Sequence, residues 1–170
     1  MLTLIAFFVG LLASPTDVAQ LQATAPHSLK TIEQAREHLG AARTAAFLTR
    51  TDPTILLSIA WHESRYRVDV SGPEVGHRVS CGVMATEPRR PPCPAQTVAQ
   101  SYLEGAAWVR RWLEVSHGNL RRALIGYGGG YRALRICARQ RHPACGFPAV
   151  IVRRAQRIRA SNHARSLVQI

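Results

Sequence analysis

Glu63 is the side chain in this sequence best placed for proton chemistry. It closes an apolar run, Ile55-Leu56-Leu57-Ser58-Ile59-Ala60-Trp61-His62, and Ser64 follows it at once. Leu56, Ile59, Ala60 and Glu63 recur at helical spacing, so the carboxyl shares a face with apolar residues. Burial there disfavours the ionised form and raises the pKa, as a general acid working near neutral pH requires. Such an acid can protonate the leaving oxygen of a glycosidic bond, and a glycosidase normally adds a second carboxylate as base or nucleophile. The competing expectation is a solvated Glu63 that pairs with Arg65 or Arg67 where the helix frays.

Asp69, Glu74 and Glu87 are the candidates for a second carboxylate. All three lie in segments crowded with Gly, Pro and Arg, where solvated loop charge or a turn-forming role is favoured. None is fixed by a helix as Glu63 is.

The elements that must position Glu63 are punctuated clearly. Asp52 can accept from free backbone donors and Pro53 presets φ at the first helical position, so the helix carrying Glu63 starts near residue 53. Leu29 to Arg50 places Ile32, Ala35, Leu39, Ala42, Ala46 and Phe47 at three- and four-residue spacing, an amphipathic helix forming a wall. Val70 to Pro94 is rich in Gly, Pro and Arg and reads as loop, with a short strand-like turn around Val79 to Met84. Ala95 to Ser116 reads as a long helix in which Trp108 and Trp112 sit one turn apart, with packing favoured over sugar stacking for both. Asn119 to Tyr127 is helical and then meets Gly128-Gly129-Gly130, which suits a helix ending where backbone closely approaches a ligand or another helix. No strand pattern or Gly-Lys-Ser/Thr ending supports a phosphate cradle there. Ala149 to Leu167 forms a last basic helix. Its Arg153, Arg154, Arg157, Arg159 and Arg165 spread around the circumference, as a solvated face or an envelope-binding patch would have them.

Three clusters in order, Glu63-Ser64, then Ser80-x-Gly82-Val83-Met84, then Ala123-Leu124-x-x-Tyr127-x-x-Gly130, resemble the SLT-type lytic transglycosylases, lysozyme-like enzymes that cleave bacterial peptidoglycan. The family patterns read Glu-Ser, Ser-x-Gly-Leu-Met-Gln and Ala-x-x-x-Tyr-Asn-Ala-Gly, and the resemblance spans about residues 50 to 132. It implies an all-α, single lysozyme-like domain with helices around a glycan-binding cleft. It further implies Glu63 as the single general acid and base, with Ser64, Ser80, Gly82 and Met84 lining the cleft and Tyr127 bordering the acid. The implied reaction breaks the β-1,4 bond between N-acetylmuramic acid and N-acetylglucosamine, with the 6-hydroxyl attacking intramolecularly to give a 1,6-anhydro product. No metal or cofactor is implied. Two departures stand out: the family glutamine after Met is Ala85, and the asparagine after Tyr is Gly128. Both lost amides would bond sugar N-acetyl or hydroxyl groups, and Thr86 and Tyr131 are the nearest replacements. A hydrolytic muramidase and a non-catalytic cationic wall binder are the alternatives.

Composition sets the frame. A chain of 170 residues with 46% apolar content can bury one core, expected over residues 28–168, and a monomer is expected. The net charge of +12 comes almost wholly from arginine, Lys30 being the only lysine, which favours anionic partners: peptidoglycan glycan strands with their peptide carboxylates, and anionic envelope polymers. No nucleic-acid motif is present and aromatics are 6% of residues, so specific nucleic-acid binding is not expected. Residues 1–19 read as a signal peptide or N-terminal hydrophobic segment. The apolar stretch Leu2 to Ala13 is short for a bilayer span, with cleavage expected after Ala13 and membrane tethering as the alternative. Cys81, Cys93, Cys137 and Cys145 allow three connectivities, of which sequence proximity favours 81 with 93 and 137 with 145. Such bridges fit export to the periplasm or beyond. A zinc site is disfavoured for want of a close Cys-x-x-Cys pair, although His142 lies between two cysteines and His62 beside Glu63.

Overall fold

The computed structural model describes residues 14–72, 74, 79–89, 91–138 and 143–166, without the side chains of 87–89, 143–144 and 161–166. The stretch Leu2 to Ala13 with its expected cleavage point, His142, and the side chains of Glu87 and Arg165 lie outside the described residues. Among the described residues six helices dominate: α1 (Pro15–Thr24), α2 (Ile32–Thr49), α3 (Pro53–Ser64), α4 (Val98–Val115), α5 (Leu120–Cys137) and α6 (Pro143–Ser166). Between α3 and α4 lies one antiparallel hairpin, β1 (Val79–Cys81) with β2 (Thr86–Arg89), in register Val79 to Arg89 and Cys81 to Thr86. The expected mainly α, single-domain architecture is therefore observed. One buried cluster draws on every helix, from Val18 and Leu21 through Leu56, Ile59, Tyr102 and Leu124 to Ile151 and Ile158.

Local sequence explains the helix starts. Thr31 and Thr97 each form a reciprocal capping box, with Gln34 and Gln100 three residues on. Asp52 accepts from the Thr54 backbone N–H at 2.8 Å and its hydroxyl at 2.6 Å, while Pro53 occupies the first turn. Arg159 of α6 pairs with the same carboxyl. Burial pushes the Asp52 pKa up, but the Thr54 bonds and Arg159 outweigh it and leave the carboxyl below its usual value. At the other end, Arg65 (φ 57°) and Tyr66 (φ 65°) both take left-handed backbone, turning the chain sharply after Glu63 and Ser64.

Helix α1 is absent from the sequence expectations. Val18 and Leu21 are buried in the core and Asp17 pairs with Arg43 at 2.5 Å, so packing begins ahead of residue 28. Apolar residues next to a leader-like stretch carry no sign that they pack on a distant helix. Two outer positions of the α2 stripe also differ, Ile32 and Phe47 being 46% and 51% exposed. Among the described residues no helix is long and apolar enough to cross a membrane.

The disulfides are Cys81–Cys93 and Cys137–Cys145, with Cα atoms 5.7 and 5.5 Å apart. These are the pairs favoured by proximity, and they leave no thiol for a metal. The first staples the hairpin to the strand-free segment before α4; the second ties the end of α5 to the start of α6.

Candidate active site

α3, the hairpin turn, α4 and α5 meet at a cleft of about 320 Å³ lined by Glu63, Ser80, Ala85, Trp108 and Gly126 to Gly130. Glu63 enters from the last turn of α3 with its side chain partly buried. Among the described residues it has no ion-pair partner. Arg65 instead stacks on Trp61, 3.6 Å from the ring centroid, and Arg67 donates from Nε to the Ser64 carbonyl at 3.2 Å. Frayed pairing of Glu63 with either arginine is thus not what the fold adopts. Burial with no compensating cation pushes the Glu63 pKa up to about 7. His62 adds no positive charge to hold the carboxylate, because burial, followed by Arg65, lowers its own pKa.

Tyr127 forms the wall beside the acid. Its hydroxyl donates to the Met84 carbonyl at 2.5 Å, and its ring stacks in parallel on Phe147 with centroids 6.2 Å apart. Burial first, and the charge of Glu63 second, raise its pKa well above the usual phenol value, so it remains a neutral donor. Phe147 also meets His62 edge to face at 5.0 Å, bracing both flanks of Glu63 from α6.

Of the other sequence candidates, Ser80 lines the cleft, whereas Ser64, Gly82 and Met84 lie beneath it. Ser64 is 1% exposed and its hydroxyl donates back to the Ala60 carbonyl at 2.9 Å, so it shapes the helix end and offers nothing to a ligand. Gly82 holds φ 76° under Gln96 and Ser101, where any side chain would collide. Met84 is fully buried against Gly105, and its N–H donates to Ser101 Oγ at 3.3 Å. These residues support the floor from below.

The two proposed replacements for the lost amides do not reach the cleft. Thr86 is 4% exposed and donates to Glu104 at 3.4 Å. Tyr131 packs on Trp112 and lines a separate cavity. Ala85 and Gly128 do lie in the wall, so at both departures the cleft presents backbone and methyl in place of amide. A Cβ on Gly128 would sit 3.3 Å from the Phe147 ring, which occupies the room a longer side chain needs. Asp69 and Glu74 are exposed, and Glu63 is the one carboxylate among the described lining residues.

Trp108 is the residue that sequence reasoning assigned to packing and the fold exposes in the cleft. Its ring meets Trp112 at 6.0 Å, edge to face, and Arg111 lies 5.0 Å from its centroid. The available signal was the one-turn spacing to Trp112; the open space in front of it is made by the α5 glycines. The expected helix end after Tyr127 is instead a bend: α5 runs on to Gly129, breaks at Gly130 (φ 65°, ψ −166°) and resumes to Cys137.

Gly126 is demanded by packing. A methyl there would overlap the Trp112 ring, which is wedged between Trp108 and Tyr131. Gly126→Ala would regain up to about 1 kcal/mol of helix propensity against an overpacking cost of about 1–3 kcal/mol. With the ring unable to retreat, the expected result is net destabilisation, read as a lower denaturant midpoint at unchanged slope.

Fold and cleft define a mainly α single domain with one partly buried carboxyl, unpaired among the described residues, between an aromatic wall and a glycine-rich helix bend. No protein-family model matches this chain, and no curated protein or solved structure matches it at a significant level.

Proposed function

We propose that this protein is a peptidoglycan lytic transglycosylase of the lysozyme-like kind, with Glu63 as its single acid and base. The observation that carries the reading is a carboxyl in a cleft, unpaired among the described residues, its pKa raised to about 7 by burial. At neutral pH a large fraction of Glu63 keeps its proton and can give it to the glycosidic oxygen as the bond to C1 of N-acetylmuramic acid breaks. The resulting carboxylate then takes the proton of the 6-hydroxyl as that oxygen bonds to C1, closing the 1,6-anhydro ring and restoring the acid. One carboxylate in the described lining supports this route over one that needs a second. Tyr127, neutral and held by Met84, keeps the acid's surroundings apolar without adding charge. The net charge of +12 and the two disulfides support export and attraction to an anionic wall.

Mass spectrometry of soluble products from purified peptidoglycan tests the reading. Anhydro-muropeptides from the wild type, absent with Glu63→Gln, are expected. Reducing-end products would turn the assignment to a muramidase, and intact binding with no release would turn it to a wall-binding protein.

Trp108 offers the ring surface in the cleft on which a sugar can stack. Trp108→Ala is expected to raise KM about tenfold with a smaller change in kcat, the mark of binding shared by ground and transition states. Steady-state rates on soluble glycan strands would measure it.

A further inference from the structure

Beyond the Gly130 bend lies a larger cavity of about 550 Å³, lined by Val115, Arg122, Tyr131, Leu134, Arg135 and Ala138. We propose that this cavity binds a short acidic peptide, the stem attached to the N-acetylmuramic acid of peptidoglycan, while the sugars occupy the Glu63 cleft. The inference rests on the glycan-cleaving reading and extends it from the sugar to the peptide.

The charge of the cavity selects the class of ligand. Arg122 and Arg135 are exposed, neither has an ion-pair partner among the described residues, and no carboxylate is among the described lining residues. Guanidinium groups so placed match carboxylates two bonds at a time. Val115, Leu134 and Ala138 supply the apolar remainder that alanine methyls would cover. In an unbroken helix, residues 122 and 135 would point about 140° apart at 3.6 residues per turn. The break at Gly130 is what lets both line one space.

Continuity with the cleft selects the stem over an unrelated acidic peptide. Gly130 lines the cleft and Tyr131 the cavity, so consecutive residues with Cα atoms about 3.8 Å apart line the two sites. Aromatic rings run between them without a gap, Trp108 to Trp112 at 6.0 Å and Trp112 to Tyr131 at 5.0 Å. Four extended residues reach about 13 Å, the span a stem can cover from a sugar in the cleft.

Calorimetry with an acidic tetrapeptide of stem composition (alanine, glutamate, a diamino acid, alanine) tests the proposal without any cleavage. Binding to the wild type is expected to weaken about tenfold in Arg135→Ala and to vanish when the peptide carboxylates are amidated. In parallel, Arg135→Ala is expected to raise KM about tenfold on peptide-bearing glycan and to leave it unchanged on glycan stripped of its stems by an amidase. Equal peptide binding by wild type and variant, or the same KM ratio on both glycans, overturns the proposal. Arg135-dependent peptide binding without cleavage of either glycan would support the cavity assignment while removing the catalytic reading. Cleavage of both glycans with no peptide binding would do the reverse.

Discussion

Glu63→Gln is expected to slow glycan cleavage by about 100- to 10,000-fold, the range that general acid and base work contributes. The amide fills the same space and keeps the fold, so the loss isolates the proton. The wild-type pH profile gives a second, independent reading. A donor whose pKa stands near 7 works while protonated, so kcat/KM should fall as pH rises through about 7. A carboxyl of ordinary acidity would put that fall near 4.5. Cleavage rates across pH 4 to 9 on soluble strands would place the inflection, and a profile flat from 5 to 9 would remove Glu63 from the donor role.

The same substitution should stabilise the protein. Below pH 4.5 the carboxyl is protonated in both folded and unfolded chains and contributes no difference. Between 4.5 and about 7 the unfolded chain releases the proton while the folded chain retains it, so stability falls as pH rises. Above 7 the folded chain carries the full cost, about 3 kcal/mol at roughly 1.4 kcal/mol for each unit of pKa. The amide that replaces the carboxyl never ionises, so the variant's advantage should be absent at pH 4 and reach about 3 kcal/mol at pH 8, roughly 6–12 °C in Tm. Comparing variant and wild type at each pH cancels the titration of the remaining groups. A constant difference from pH 4 to 8 would show that Glu63 is solvated.

Much of what positions the acid is written locally. Asp52-Pro53 fixed the start of α3 to the residue, and the spacing of Leu56, Ile59 and Ala60 placed Glu63 on the buried side, because caps and periodicity act over one or two turns. The loop with its strand-like turn and the disulfide pairs were also readable, since each joins residues near in sequence. What covers a face was not readable. Ser64 at a motif position and Tyr131 beside one both carry polar groups, yet one turns into the core and the other crosses the Gly130 bend to a different cavity. Trp108 has the same spacing whether it packs or faces a cleft, and the choice depends on how closely α5 approaches. The packing of α1 escaped notice because the surface it covers is built by α2 and α6.

The last helix supplies two of the supports described above: Phe147 behind Tyr127 and His62, and Arg159 at the cap of α3. Both come from residues more than 80 positions after Glu63. A growing polypeptide therefore leaves the acid without these braces until α6 has been made and has docked. The setting of the acid is thus assembled late, by the docking of the last helix.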